Sequence, residues 1–262
     1  MPLQIGIFGR GRLGSAIAAA AEQADDLEVA WLVGHDAPQD LSPVDVALEV
    51  SHGDAVADRI AWARGTGTDL VIGTTGWDAG LLDRSHPGGD SGLGGAPKPG
   101  GQSTRASGAG SPAIGILATP NFSLTVALMC RISLALGRYA ALQGGDLAVS
   151  EIHHTRKVDA PSGTAVLLRT ALADGSGRAT EAIQTASLRL GDVVGRHEVH
   201  LTSAVESITV THEAHSRDVF ALGALTAARW IHGRRGTFTF DDLAAEVIDP
   251  LFQPTTNQKE EP

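Results

Sequence analysis

The chain has 262 residues, 42% of them hydrophobic, a single cysteine and a formal net charge of −10. This length and composition allow one large or two medium domains with a real core, and they exclude a disordered polymer. The acidic balance argues against nucleic acid as a partner, so an anionic ligand needs a local positive pocket.

Cys130 alone can form neither an intramolecular disulfide nor a cysteine metal cluster, and its apolar surroundings predict a buried thiol. The start, Met-Pro-Leu-Gln-Ile-Gly, lacks the charged region and cleavage site of a signal peptide. No uninterrupted apolar run reaches the length of a bilayer span. A soluble, cytoplasmic protein with no membrane partner is expected.

Leu3 to Phe8 reads as a buried strand. Gly9-Arg10-Gly11-Arg12-Leu13-Gly14 follows, a G-x-G-x-x-G that opens an alanine-rich helix from about Ser15 to Ala24. Glycine lets the backbone turn tightly and approach a pyrophosphate, and the helix N-terminus offers free N–H groups and a positive dipole end. Such a motif is weak by itself. Between a strand and a helix it points to dinucleotide binding.

Leu27 to Val33 is the second strand, which in a dinucleotide fold ends at an acidic residue for the ribose hydroxyls. Here it runs into Gly34-His35-Asp36. Either Asp36 is that acid, displaced, or the acid is absent and His35 with Arg10 or Arg12 accommodates a 2′-phosphate. NADH and NADPH both remain open.

Asp45–Val50 and Leu70–Ile72 read as two further buried strands, ending in Ser51-His52-Gly53 and Gly73-Thr74-Thr75-Gly76. In a doubly wound sheet ligands sit at such carboxyl ends, so these turns are cofactor candidates, although each alone is ordinary turn chemistry. From about 85 to 112 the chain is rich in Gly, Ser and Pro, which predicts a mobile surface insertion. Ile114–Leu117 resumes as a strand, ending in Thr119-Pro120-Asn121-Phe122, and a long apolar helix follows over Leu124–Leu142.

Leu147–Ile152 is a strand that delivers Glu151-Ile-His-His-Thr-Arg-Lys-Val-Asp-Ala-Pro-Ser-Gly-Thr-Ala165, after which a helix runs to Ala173. Strands at 186–190, 195–202 and 205–214 predict an open antiparallel sheet with one wet face. A helix at 218–232, a strand at 237–240 and a helix at 241–248 complete the chain. The expected class is α/β, a Rossmann-like dinucleotide-binding domain plus an α+β substrate and oligomerisation domain with a largely antiparallel sheet. The expected boundaries are 1–122 with 233–262 for the first domain and 123–232 for the second.

The segment from Glu151 carries the chemistry. A reductase needs, besides a hydride donor, a grip on substrate carboxylates and a proton source. Lys157 supplies a compact ammonium. His153 and His154 are adjacent on an extended segment and therefore point to opposite sides. Ser162-Gly163-Thr164 at a helix start is a ready carboxylate cradle. Asp159, Pro161 and Ser162 are also explained as a plain helix start. His153, His154 and Lys157 are not. With no third His, Cys or well-spaced carboxylate seen nearby, no metal site is expected.

This fifteen-residue segment closely resembles the signature of the 4-hydroxy-tetrahydrodipicolinate reductase family, also called dihydrodipicolinate reductase. The resemblance extends over nearly the whole chain. It takes in the N-terminal glycine motif, Val71–Trp77, Pro120–Ser123, Gly191–His197 and Ser216–Phe220. It implies NADPH- or NADH-dependent reduction of a cyclic imine dicarboxylate, with loss of water, in the diaminopimelate route to lysine. His153 would be the acid/base and Lys157 the proton donor; His154, Gly163 and Thr164 would hold the substrate carboxylates. Gly9, Arg10, Gly11, Arg12, Leu13 and Gly14 would form the phosphate loop. His35, Gly73, Thr74 and Thr75, then Thr119, Pro120, Asn121 and Phe122, would lie along the cofactor. Family membership further implies a homotetramer joined through the substrate-domain sheet, with catalysis once the first domain closes its nicotinamide over the catalytic loop.

The sequence departs from the family pattern at several points. The glycine motif is one residue shorter than in many members, and the usual acid and its basic follower align with Gly34 and His35. Glu49-Val50-Ser51 stands for Asp-Phe-Thr, the Gly-rich insertion replaces a compact helical passage, and the chain between Ala173 and Ala186 is short. Two other readings compete: a different Rossmann-type dehydrogenase, and a nucleotide sensor that has lost catalysis. Cys130 in an apolar run speaks against a thiol-dependent dehydrogenase, and the intact His153, His154 and Lys157 speak against a sensor.

Overall fold

Short runs of Val, Ile and Leu with little alternation are the composition of strands buried on both faces. β1 (Leu3–Phe8), β3 (Val46–Glu49), β4 (Asp69–Ile72) and β5 (Gly115–Ala118) have it, and they form the interior of one sheet. A computed structural model describes residues 1–34, 40–82 and 114–253. With β2 (Leu27–Val33) and β10 (Gly236–Thr239), the strand order is β2-β1-β3-β4-β5-β10. The pairs β1–β2, β1–β3, β3–β4 and β4–β5 are parallel. β1 thus has β2 on one side and β3 on the other, the switch point outside which doubly wound sheets bind ligands.

α1 (Arg12–Ala21) leaves the end of β1. Unanticipated by the pattern, α2 (Val56–Thr66) fills the β3–β4 connection, burying Val56, Ile60 and Ala63 at one-turn spacing and ending at Gly67, φ +76°. Gly6 has a packing reason: a Cβ there would lie 2.1 Å from the Trp31 ring. That ring packs tilted against Phe8 and edge-on against Trp62, at centroid distances of 4.7 and 5.7 Å. The buried carboxylate of Asp69 accepts the N–H groups of Gly115 and Gly233, both at 2.8 Å, which ties the returning chain to this sheet.

The second sheet has the order β7-β6-β8-β9, from β6 (Asp146–His153), β7 (Gln184–Arg189), β8 (Gly195–Thr202) and β9 (Ser207–Ala214). β6–β8 and β8–β9 are antiparallel as expected, but β7 pairs with β6 in parallel. The reason is α4 (Gly163–Ser176), which makes β6-α4-β7 a crossover rather than a hairpin. α3 (Leu124–Gln143) and α4 supply the core of this unit with Leu147, Val149, Val199 and Leu201, each worth about 2 kcal/mol when buried. At 20 residues, α3 is long and apolar enough by length and composition to cross a membrane, which the reading of the sequence did not expect. Here it buries Val126, Met129, Ser133, Gly137 and Ala140.

The chain divides into two compact units, Met1–Pro120 with Ala228–Phe238, and Asn121–Ala227 with Thr239–Pro262. α5 (Asp218–Ile231) leads from the second unit into the first. The expected boundaries differ in assigning the last stretch to the first domain. Instead α6 (Phe240–Val247) is held in the second unit. Arg131 of α3 pairs with Asp241 and, at 2.9 Å, with Asp249, and Phe240 packs edge-on against Phe122. The expected Gly-rich insertion lies outside the described residues.

Candidate active site

The expected site residues fall into two groups, one in each unit. In the first unit, the Gly9–Gly14 loop joins β1 to α1 with a different demand at each glycine. Gly9 adopts φ +119°, and a Cβ there would sit 2.7 Å from the Val50 carbonyl oxygen. A Cβ on Gly14 would come 1.8 Å from the Gly9 carbonyl oxygen, so only glycine lets α1 start this close to β1. Around Gly11 the space is open, and this residue caps α1 without a side-chain acceptor for the first helical N–H groups. An open cradle facing free helix N–H groups fits a pyrophosphate. Arg12 and Leu13 begin α1; Arg10 instead turns back, its Nε donating to the Leu32 carbonyl at 3.1 Å beside Gly34. His35, expected along the cofactor, lies outside the described residues, as does Asp36.

At the ends of β3 and β4, the buried Glu49 organises the turns. Its backbone carbonyl accepts the N–H of Gly73 at 2.9 Å. Its Oε1 accepts from the Ser51 N–H at 2.8 Å, the Ser51 hydroxyl and the Thr74 hydroxyl at 3.1 Å. Burial pushes the Glu49 pKa up, opposed by these hydrogen bonds and by Arg59. The Thr74 hydroxyl is thus engaged within the protein, while Thr75 lies in the turn that Gly53 approaches closely. Thr119 is buried, its N–H bound to Ile72. Thr119 and Pro120 belong to the first unit, Asn121 and Phe122 to the second. Phe122 is a core ring, and Gly223 lets α5 pass its carbonyl.

In the second unit, the alternation of β6 puts Glu151 and His153 on its buried face. His153 Nδ1 lies 3.3 Å from Glu151 Oε2. His154 turns elsewhere, 3.5 Å from the Arg217 guanidinium, as adjacent positions on an extended strand require. The chain then makes a turn in which the Lys157 N–H donates to the His154 carbonyl, and Lys157 Nζ pairs with Asp159 at 2.8 Å. The lysine hydrogen bond leads in holding the Asp159 carboxyl below the usual range. Ser162 caps α4 by accepting the Ala165 N–H at 3.2 Å, and the first turn carries an exposed Gly163 and a half-buried Thr164. Asn121 donates to the Thr164 hydroxyl at 3.3 Å. A small cavity of about 50 Å³ is bounded by His153, Thr164, Gly195, His197 and His212. A larger open cleft of about 840 Å³ lies at the opposite end of β6, near Asp146 and Arg178, away from every histidine of the site.

Three residues unassigned by the sequence reading complete this arrangement. Arg189, at the end of β7, donates to Glu151 Oε1 at 3.2 Å and to the backbone carbonyls of Lys157 and Asp159. His197 sits beside Glu151 in the β6–β8 register, its ring 5.0 Å from that of His153 and its Nε2 3.2 Å from the Ser162 hydroxyl. Gly195 makes room for His153, since a Cβ there would lie 3.0 Å from Nε2. The Gly191–His197 segment was a pointer to the last two; Arg189 carries no sequence signal. Burial holds the His197 pKa down at about 4, with His153 adding to the effect. Burial also lowers His153, against the pull of Glu151.

Glu151, His153 and His197 bring three ligand-type atoms within 4.8 Å of one another, a clustering that the expectation of no metal did not foresee. Arg189 already places a positive charge on the carboxylate, which favours a hydrogen-bonding cluster over a cation site.

Family models described as "Dihydrodipicolinate reductase, N-terminus" and "Dihydrodipicolinate reductase, C-terminus" match residues 3–84 and 125–244. A relative from Gluconobacter oxydans named 4-hydroxy-tetrahydrodipicolinate reductase is 36% identical, with 91% of this chain and 96% of the relative covered. One of the same name from Acidiphilium cryptum is 33% identical, with 92% and 97% covered. Among solved structures, a dipicolinate-bound dihydrodipicolinate reductase from Paenisporosarcina sp. TG-14 matches with a TM-score of 0.69 at 18% identity. It covers 91% of this chain and 98% of that one, a likeness in fold.

Proposed function

The chain belongs to the dihydrodipicolinate reductase family, and on that premise we propose that it reduces 4-hydroxy-tetrahydrodipicolinate to tetrahydrodipicolinate with NADPH or NADH, in the diaminopimelate route to lysine. The observation that supports the site assignment is that His153 and Thr164 of the first turn of α4 line one cavity, with Lys157 on the turn that Arg189 ties to Glu151.

The nicotinamide supplies the hydride. Gly9–Gly14 holds the pyrophosphate on the start of α1, where the open space at Gly11 fits it. The N–H groups of Gly163 and Thr164 and the Thr164 hydroxyl bind a substrate carboxylate, with Asn121 fixing that hydroxyl and His154 contributing from the β6 end. Lys157 donates the proton that accompanies hydride arrival, its ammonium being paired with Asp159. His153, kept neutral by burial, is the acid/base for loss of water.

For the nucleotide we favour NADPH. Gly34 offers no carboxylate to repel a 2′-phosphate, and Arg10 lies alongside it. A homotetramer joined through the second sheet is the proposed assembly, in the cytoplasm. The sheet face carrying the hydrogen-bonded Ser150, Glu198 and His200, opposite the one that packs on α3 and α4, supports it.

The test is cofactor oxidation followed with the substrate generated in situ. Turnover is expected, and Lys157→Ala or His153→Ala should reduce kcat by about 10²- to 10⁴-fold with nucleotide affinity close to wild type. Absence of turnover with either nucleotide overturns the function; normal rates in both variants overturn the site.

A further inference from the structure

We propose that Glu151 is a positioning residue that fixes the tautomer of His153, by accepting the Nδ1 proton and thereby presenting an unprotonated Nε2 to the cavity. The proposal rests on the reading of His153 as the acid/base. It assigns work to a buried acid that the mechanism above leaves without a role.

Four features carry it. Glu151 and His153 are two residues apart on β6, so the strand itself aims both at the same buried face. The carboxylate is held from its other side: Oε1 accepts the Ser162 N–H at 3.1 Å and an Arg189 N–H at 3.2 Å. This leaves Oε2 and Nδ1 3.3 Å apart, a contact by distance, and neither atom has a hydrogen-bond partner in the protein, so each is the group available to the other. An ionised carboxylate can only accept, so the proton between these atoms belongs to the imidazole. Finally, the opposite ring edge faces Gly195, where the missing side chain leaves Nε2 at the cavity wall.

The charges around the ring agree with this. Burial works to raise the Glu151 pKa, but hydrogen bonds from Ser162, Ser187 and Arg189 outweigh it and the carboxyl stays below its usual range. The other groups that act on His153 are Lys157, Arg189 and Asp159. His197 Nε2 lies 3.8 Å from the same Oε2, but burial holds its pKa down at about 4, so at neutral pH it places no competing charge there. The arrangement is a carboxylate–histidine pair in which the second group orients the first.

Glu151→Gln keeps the shape and the Oε1 acceptor for Ser162 but turns an amide N–H toward Nδ1. His153 must then accept at Nδ1 and carry its proton on Nε2. Nitrogen-15 spectra of the imidazoles, recorded above the histidine titration range and assigned through a His153→Gln control, read this directly. The expected result is protonated Nδ1 in the wild type and protonated Nε2 in Glu151→Gln. With it, kcat should fall by about 10- to 100-fold while KM changes little. Glu151→Asp should recover part of the loss, and the histidine limb of the kcat–pH profile should move to lower pH in Glu151→Gln, because the carboxylate supports the protonated ring.

A wild-type His153 protonated at Nε2 overturns the proposal, whether or not Glu151→Gln folds. So does an unchanged tautomer in a folded Glu151→Gln protein. The spectra need no substrate: a chain that shows the expected tautomers yet turns over nothing would refute the reductase reading and leave the Glu151–His153 pair standing.

Discussion

His197 shows how one buried residue couples folding to pH. Its folded pKa is about 4, against an ordinary 6.5, because burial disfavours the imidazolium. Above pH 6.5 both states are neutral and the group contributes no pH dependence. As pH falls from 6.5 toward 4 the unfolded chain takes up a proton that the folded chain refuses, so stability is lost through that window. The shift corresponds to roughly 3 kcal/mol. His153 and His212 are lowered by burial too and act in the same direction. Urea midpoints measured across this range should therefore drop as acid is added, and His197→Gln should flatten the curve. An unchanged slope in that variant would place the effect elsewhere. The sequence showed His153 and Lys157 through a motif. It could not show that Glu151 and His197 become neighbours, since their pairing is fixed by the β6–β8 register across more than forty residues.

At the scale of elements, α3 and α4 are joined through glycine. A Cβ on Gly175 would fall 2.2 Å from the Leu134 carbonyl oxygen, and one on Gly137 would fall 2.5 Å from that of Leu172. Both obstacles are backbone, so relief requires the helices to part. Gly175→Val is accordingly expected to destabilise the second unit by about 1–3 kcal/mol or more, measured by chemical denaturation. A neutral effect would mean the helices can slide. Because α4 begins at the proposed carboxylate cradle, the same variant should also weaken substrate binding more than nucleotide binding. Apolar patterning revealed that α3 and α4 exist, and the glycines are visible in the chain. Their mutual contact depends on which faces meet. The parallel β7 follows the same logic, as hydrophobic alternation carries no strand direction.

For the whole molecule, the two-unit division puts the proposed phosphate loop, Gly9–Gly14, in one unit and the proposed proton-transfer residues His153 and Lys157 in the other. A ligand that binds only the folded state raises the melting temperature according to its concentration over Kd. NADPH should therefore shift melting more than NADH at equal concentration, and Arg10→Ala should narrow the difference. A larger shift with NADH would refute Arg10 beside Gly34 as a 2′-phosphate site.

What the sequence determined by itself was the set of local instructions. Glycines stand where a backbone must approach another backbone, Ser162 caps a helix start, and a motif concentrates imidazole and ammonium groups beside it. These depend on neighbours within a few residues, so the order of residues expresses them. The tertiary structure decided which distant groups meet: Arg189 tying the turn that carries Lys157 and Asp159 to Glu151, His197 beside them, and the terminal helix joining the second unit. Those outcomes follow from strand register, sheet order and the burial of charge, which arise only when separate segments compete for the same space.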